Sequence, residues 1–249
     1  MQPACTSQPE TLNLMLDQRM TGYLSGCRTV RFCAPAALPE QTATCIPADH
    51  LLDPDVINAL IDRYAATHTE GTDRRGLASI WAQYFFGVLL PPLAIAVLTA
   101  DAPAAADPAL WRMHLSADGL PERFDIACAA PAVPTDLAAF ETVIAPLLDS
   151  LHRATRLSRR VLWNSVGNVL EWGLTEQAKE APALSARLRP ALDLFAQERL
   201  SPDHPNPLYR PVAYVEDQRI RTVCCLRNRL PELGNCGNCP LTHAEMLKG

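Results

Sequence analysis

Four cysteines near the end of the chain have the type and spacing of metal ligands: Cys224, Cys225, Cys236 and Cys239. They lie within sixteen residues, CCLRNRLPELGNCGNC, in the pattern Cys-Cys-x10-Cys-x2-Cys. Four thiolates are the ligand set of a tetrahedral zinc ion or of an iron–sulfur cluster with two or four irons. The Cys-x2-Cys half suits both, because a tight turn brings its two sulfurs to one metal. The pattern therefore predicts a metal centre in the C-terminal region.

The adjacent pair Cys224-Cys225 favours an iron–sulfur cluster over zinc. Neighbouring residues of a strand point to opposite faces, so both thiols can reach one centre only if the chain bends sharply there. Structural zinc sites usually use paired ligands with roughly two to four residues between them, and a disulfide between adjacent cysteines is strained. We expect Cys236 and Cys239 to bind one iron and Cys224 and Cys225 the other. A non-catalytic binding protein, in which a structural zinc site on the four cysteines only stabilises the tail, is the alternative.

Arginines surround the cysteine motif. Arg219, Arg221, Arg227 and Arg229 lie between Asp217 and Glu232 with no acidic residue among them. Guanidinium groups near an anionic cluster stabilise it and ease its reduction. Offsetting the cluster charge is one role, and contact with an anionic or oxygen-rich substrate is a further role that we assign to Arg227 and Arg229.

Other chemical motifs are absent from the sequence. The remaining cysteines have no metal-ligand spacing and are interpreted as free thiols or core residues: Cys5, Cys27, Cys33, Cys45 and Cys128. There is no G-x-G-x-x-G, no G-x-x-x-x-G-K-[ST] and no G-x-S-x-G. If the chain does redox work, its electrons must come from a partner, such as a reductase or ferredoxin, or from a small reductant.

Composition narrows the class of protein. The net charge is −5, hydrophobic residues make up 48% and charged residues 20%, which is typical of a globular protein and gives no basic surface for nucleic acid. The cysteine count is odd, and the first residues show no basic segment followed by an apolar stretch. A secreted disulfide scaffold is therefore disfavoured, and a cytoplasmic location is expected.

An uncharged stretch of 25 residues, 76–100, is long enough to span a bilayer. Its Pro91-Pro92 pair favours two shorter helices that meet at the prolines and are buried in the protein. A transmembrane helix is the alternative, and peripheral membrane association is left open.

The remaining pattern predicts a mostly helical α+β protein with small β-hairpins. We divide it into an N-terminal segment of uncertain structure (1–50), a mainly helical substrate-binding domain (51–208) and a C-terminal cluster-binding region (209–249). Asp53-Pro54 marks a helix start, and residues 110–128 alternate around Asp118-Gly119 as a hairpin. Thr135 is expected to cap a helix that Pro146 kinks or splits. Further helices are expected at 161–180 and 183–200, and two strands at 211–224.

These features resemble the FhuF-type ferric siderophore reductases. The resemblance rests on the Cys-Cys-x10-Cys-x2-Cys ending, the preceding run IRTVCCLRNRLP, and NPLYR at 206–210. The apolar Pro-Pro segment and VLWNSVGNVLEWGLTE are also similar, so the likeness spans roughly residues 76–240. It implies a 2Fe–2S cluster on the four cysteines. The family often has Trp-x-Asn where this chain has Trp163-Asn164-Ser165, which leaves a substrate role for Asn164 unsupported.

The resemblance implies an oxidoreductase that acts in iron acquisition. One electron would pass from the cluster to an Fe(III)-siderophore, of hydroxamate type, and iron would be released as Fe(II). We expect the substrate to dock on the face formed by residues 226–235 and the helix around Trp163, although Trp163 could equally be a core residue. An iron–sulfur electron carrier or sensor without a siderophore substrate is the second alternative.

Overall fold

The computed structural model describes residues 9–68 and 73–244. Its helices are α1 (Pro9–Arg19), α2 (Pro54–Ala65), α3 (Arg74–Ala100), α4 (Phe140–Thr155), α5 (Arg159–Glu180) and α6 (Ser185–Leu194). Its strands are β1 (Val30–Cys33), β2 (Cys45–Pro47), β3 (Trp111–Leu115), β4 (Pro121–Ala127), β5 (Arg199–Ser201), β6 (His204–Pro205), β7 (Val212–Val215) and β8 (Gln218–Arg221). The mostly helical α+β class predicted from the sequence is confirmed.

A four-stranded sheet with the order β1-β4-β3-β2 covers one side of the core. The predicted hairpin is present as β3 and β4, and β1 pairs with β4 in parallel. Alternate residues of these strands, including Trp111, Met113, Phe124 and Ile126, are buried beneath the sheet. Two of the four strands come from residues 9–50, so this segment is built into the core, and the three-part division of the chain stays a prediction.

Helix α3 corrects one expectation, because the segment with Pro91 and Pro92 forms one continuous helix of 27 residues rather than two. Pro92 has no N–H to donate to the carbonyl of Val88 four residues earlier. The hydroxyl of Thr29 donates to that carbonyl instead, at 2.6 Å. The helix is long and apolar enough to cross a membrane, yet 78% of its apolar window is buried inside the protein. Its position is that of a central core helix.

Helices α4, α5 and α6 pack around α3. The predicted Asp53 cap is confirmed, since its carboxylate accepts the N–H of Asp55 at 2.9 Å. The expected Thr135 start is wrong: Asp136 accepts the N–H of Ala138 and begins a short 3-10 turn before α4. Helix α4 continues through Pro146 without a split.

The chain reaches the cysteine motif through a small hairpin. Helix α6 ends at Leu194, six residues earlier than expected, and the short β5–β6 pair follows. Strands β7 and β8 then form the hairpin predicted at 211–224, turning at Glu216 and Asp217, which both have positive φ. Strand β8 ends at Arg221, three residues before Cys224.

Candidate metal centre

The adjacent cysteines lie at a sharp bend, as the sequence required. Neither Cys224 nor Cys225 belongs to a strand, and the next residue, Leu226, has a left-handed backbone with φ of 62°. A non-glycine residue in this region is uncommon and is held there by its surroundings. The bend directs the N–H of Leu226 back to the sulfur of Cys224 at 3.4 Å.

The Cys-x2-Cys half forms the expected tight turn. The N–H of Cys239 donates to the carbonyl of Cys236 at 3.1 Å. The turn is fixed to β8, because the N–H of Arg221 donates to the carbonyl of Asn238 at 2.9 Å. One strand therefore leads into the first two cysteines and also holds the last two in place.

The two halves of the cysteine motif meet. The sulfurs of Cys225 and Cys236 share a hydrogen bond of 3.6 Å. Cys239 lies near enough to raise the pKa of both Cys224 and Cys236. Two ligands about 2.3 Å from one tetrahedral metal lie roughly 3.8 Å apart. The 3.6 Å contact joins the two halves of the motif. The assignment of the four cysteines to the two irons stays a prediction.

Hydrogen bonds favour a thiolate at Cys225. The hydrogen bond with Cys236 lowers the pKa of Cys225, helped by the N–H of Arg227 and the side chain of Gln83. The same hydrogen bond raises the pKa of Cys236, and burial raises the pKa of Cys224. A thiolate is the form that binds metal, so the surroundings of Cys225 prepare it to be a ligand.

Helix α3 supports the cysteine segment from below. The buried hydroxyl of Ser79 donates to the carbonyl of Cys225 at 2.6 Å. At the start of the helix, a Cβ on Gly76 would lie 3.3 Å from the side chain of Leu230 and 3.4 Å from the carbonyl of Leu226. The absence of a side chain at Gly76 lets the loop lie directly on the helix.

The two arginines that were expected to contact substrate, Arg227 and Arg229, already have protein partners. Arg229 forms an ion pair of 2.9 Å with Asp73, the residue that caps α3, and Arg227 donates from Nε to the carbonyl of Leu233 at 3.1 Å. A further tie joins the ring of His68 to Glu232. These contacts hold the loop to the ends of α2 and α3, and substrate contact by Arg227 and Arg229 stays a prediction.

Trp163 lines a cavity of about 700 Å³ beside the cysteine segment. Its wall includes Asn164, Thr222 and Val223, and Val223 directly precedes Cys224. The lining also includes Arg159, Arg160, Tyr209 and Arg210 but no carboxylate. Arg227 and Leu233 line a separate cavity of about 360 Å³ with Gln83 and Tyr84. The structure therefore does not bring Trp163 and Arg227 into one cavity.

The sequence interpretation missed two residues of α3, Ser79 and Gln83. Both are polar residues in a stretch chosen only for its lack of charge, and both contact Cys225. Polar side chains within an otherwise apolar helix were the available signal. Asn164, whose role the sequence left unsupported, is buried and borders the larger cavity.

The remaining described cysteines lie away from this centre. Cys33 and Cys45 are in strands β1 and β2 of the large sheet, and Cys128 directly follows β4. Cys27 ends a 3-10 turn before β1, and Cys5 lies outside the described residues.

The donor set fits a two-iron cluster better than zinc. A tetrahedral zinc site needs four ligands around one point. Within residues 9–68 and 73–244 no three His, Cys, Asp or Glu side chains are grouped closely enough to hold one metal ion, and the contact at ligand spacing is the pair Cys225 and Cys236. A cluster with two irons needs four thiolates, together with N–H donors to the sulfurs. The cysteine segment contains four thiols, and N–H groups donate to the sulfurs of Cys224 and Cys225.

Comparison with known proteins identifies the cofactor. Residues 79–221 match the family described as "Ferric iron reductase FhuF-like transporter", and residues 221–241 match the "FhuF 2Fe-2S C-terminal domain". The ferric siderophore reductase of Escherichia coli (strain K12) is 29% identical over 177 residues, which cover 68% of this chain and 67% of that protein. The C-terminal match includes all four cysteines and indicates a 2Fe–2S cluster, so the zinc alternative is wrong.

Proposed function

The chain belongs to the FhuF family of ferric siderophore reductases, and on that premise we propose that it passes one electron to an Fe(III)-siderophore of hydroxamate type. In this reaction Fe(III) becomes Fe(II), and the 2Fe–2S cluster is the one-electron donor when bound. Hydroxamate oxygens are hard ligands that suit Fe(III) better than Fe(II), so reduction weakens the complex and releases iron. No proton has to be taken from the substrate.

We assign the cluster to Cys224, Cys225, Cys236 and Cys239. The observation that carries the proposal is the contact between the two halves of the motif, Cys225 and Cys236, in a segment that directly follows Val223 of the Trp163 cavity wall. The protein holds these thiols with main-chain N–H groups, with Gln83 and with the hydroxyl of Ser79. Preorganised donors of this kind set the potential of a cluster as well as its position.

We place the siderophore in the cavity lined by Trp163. Electron transfer needs a short path, and Val223 in the cavity wall is adjacent in sequence to Cys224. Within the described part of the chain, Arg160 has no carboxylate partner, and the guanidinium of Arg210 lies 6.0 Å from the ring centre of Tyr209. Their N–H groups are available to the oxygen atoms of a chelate, and Trp163 and Tyr209 offer apolar surface to its backbone.

Both predicted regions contribute to the cavity. Residues 51–208 and residues 209–249 each provide six of its lining residues, and residues 209–249 also provide the thiols. The electron donor is a reductase, a ferredoxin or a small reductant. We propose a cytoplasmic location. We also propose that the protein has no nucleic-acid partner, because phosphate binding needs clustered cationic residues and the net charge is −5.

The test is single-turnover kinetics with anaerobically prepared protein. The chemically reduced protein is mixed with ferric hydroxamates, and with a ferric catecholate for comparison, in the presence of a ferrous trap. We expect reoxidation of the protein and formation of trapped Fe(II) at the same rate, fastest with hydroxamates. Protein that stays reduced while iron stays chelated would instead be an electron carrier or sensor. Faster reaction with the catecholate would reject the hydroxamate class alone.

A further inference from the structure

A buried arginine lies between the cysteine centre and the Trp163 cavity. Arg221, the last residue of β8, has a side chain only 2% exposed, and it is among the largest fully buried side chains of the described residues. Burial of a charged group is costly unless a counter-charge or several hydrogen bonds compensate. The partners of Arg221 therefore show what holds it.

All hydrogen-bond partners of this guanidinium are neutral. It donates to the amide oxygens of Gln83 and Asn164 at 3.2 Å each, to the hydroxyl of Ser165 at 3.0 Å and to the carbonyl of Val223 at 3.3 Å. No ion pair with a carboxylate is present for it within the described ranges. Arg219 and Arg229, by contrast, are paired with Glu171 and Asp73.

The nearby groups that can carry negative charge are the thiolates. Burial lowers the pKa of Arg221, whereas Cys225, Cys236 and Cys224 raise it. Gln83 makes the link direct. Its amide oxygen accepts from Arg221, and its side chain also forms a hydrogen bond with Cys225. The guanidinium thus fixes which end of the Gln83 amide faces the sulfur.

We propose that Arg221 is the buried counter-ion of the 2Fe–2S cluster and raises its reduction potential. Reduction adds one negative charge next to a fixed positive charge that solvent does not screen, so the reduced state is stabilised more than the oxidised state. Without the cluster the cost of burying this charge is offset less, because its hydrogen-bond partners are neutral and the thiolate of Cys225 is then its main counter-charge. The inference rests on the cluster and not on the identity of the substrate.

The test is the midpoint potential of variants, measured by redox titration followed by EPR. In Arg221→Gln the equilibrium constant for one-electron reduction of the cluster should be at least tenfold smaller, which is a fall in midpoint potential of about 59 mV. Arg221→Lys keeps the charge and should stay near the wild-type potential. Arg227→Gln is the matched control, since it removes the same charge from a partly exposed site that solvent screens. Equal potentials for Arg221→Gln and Arg227→Gln would overturn the proposal.

A second measurement covers variants that assemble poorly. Urea unfolding of the iron-free proteins should show Arg221→Gln to be at least as stable as the wild type, whereas with the cluster bound it should be less stable. If Arg221→Gln cannot hold iron but Arg221→Lys can, the charge is the property required and the proposal stands. If neither variant holds iron, the shape of the guanidinium matters rather than its charge, and the proposal fails.

Discussion

Gly173 of α5 lies so close to Pro91 of α3 that a Cβ at position 173 would come within 2.8 Å of the proline Cβ. Gly173→Ala should therefore force the two helices apart and lower the free energy of unfolding by about 1–3 kcal/mol. Gly87→Ala is the matched control, because nothing lies within 4 Å of a Cβ there. The control should raise stability by about 0.5–1 kcal/mol. Urea titration measures both, and equal effects would contradict the close packing.

The bond from Thr29 to Val88 predicts a dependence on Pro92. Thr29→Val should leave the Val88 carbonyl without a donor and cost about 1–3 kcal/mol of unfolding free energy. In a Pro92→Ala background, the restored N–H can bond that carbonyl, so the same substitution should cost less. A double-mutant cycle in urea measures the difference. Additive effects would show that Thr29 does not compensate for the proline.

Substitution of the four thiols should remove the cluster without unfolding the core. Serine at Cys224, Cys225, Cys236 or Cys239 is expected to abolish visible absorbance and bound iron, because a hydroxyl is a poor replacement for a soft thiolate ligand. Cys27→Ser, outside the centre, should retain both. Iron and acid-labile sulfide are assayed in anaerobically purified protein. Full iron content in a Cys225→Ser variant would refute the ligand assignment.

The Trp163 cavity predicts separate losses in binding and in cluster content. Trp163→Ala and Arg160→Ala should raise the dissociation constant of a ferric hydroxamate by about tenfold each, while absorbance and midpoint potential stay unchanged. Arg189→Ala, on α6 and away from this cavity, is the control. Equilibrium dialysis with the ferric hydroxamate gives the constants, because it does not depend on the tryptophan that one variant removes. Unchanged affinity in both variants, together with weakened binding in Arg227→Ala, would move the substrate to the smaller cavity.

Asp73 should make the cluster loop sensitive to acid. Burial tends to raise the pKa of Asp73, but the N–H of Gly76 and the guanidinium of Arg229 lower it overall. The resulting stability is present above the ordinary carboxyl pKa, about 3.9, and is lost as the pH falls through the lower native pKa. Asp73→Asn keeps the helix cap but loses the ion pair with Arg229. The difference in unfolding free energy between this variant and the wild type should therefore shrink below about pH 4, where the wild-type carboxylate is protonated.

Asp73→Ala loses the cap as well and should cost about 1 kcal/mol more at neutral pH. Unfolding by urea across a range of pH values separates the two effects. A deficit for Asp73→Asn that is constant down to about pH 2 would show that the carboxylate does not titrate with folding.

Local patterns were sufficient to predict much of the site. The cysteine spacing, the bend after Cys225 and the turn at Glu216-Asp217 all depend on residues that are neighbours in sequence. The helix through Pro91 and Pro92 was predicted wrongly because its compensating donor, Thr29, lies 59 residues from Val88. Arg221 and Gln83 are 138 residues apart, so no local pattern could reveal that one orients the other. The pairing of cysteines likewise depends on how two separate turns face each other.

The stretch from Thr222 to Cys225 has a consequence for how homologous sequences can diverge. Thr222 and Val223 form cavity wall and the next two residues are thiols, so an insertion or deletion here would displace both surfaces at once. The exposed turn at Glu216-Asp217 contributes neither a thiol nor a residue of the cavity wall. Its length can therefore change without displacing the thiols or the wall. Related proteins that handle differently shaped chelates should therefore vary around the outer rim of the cavity while this four-residue segment keeps its length.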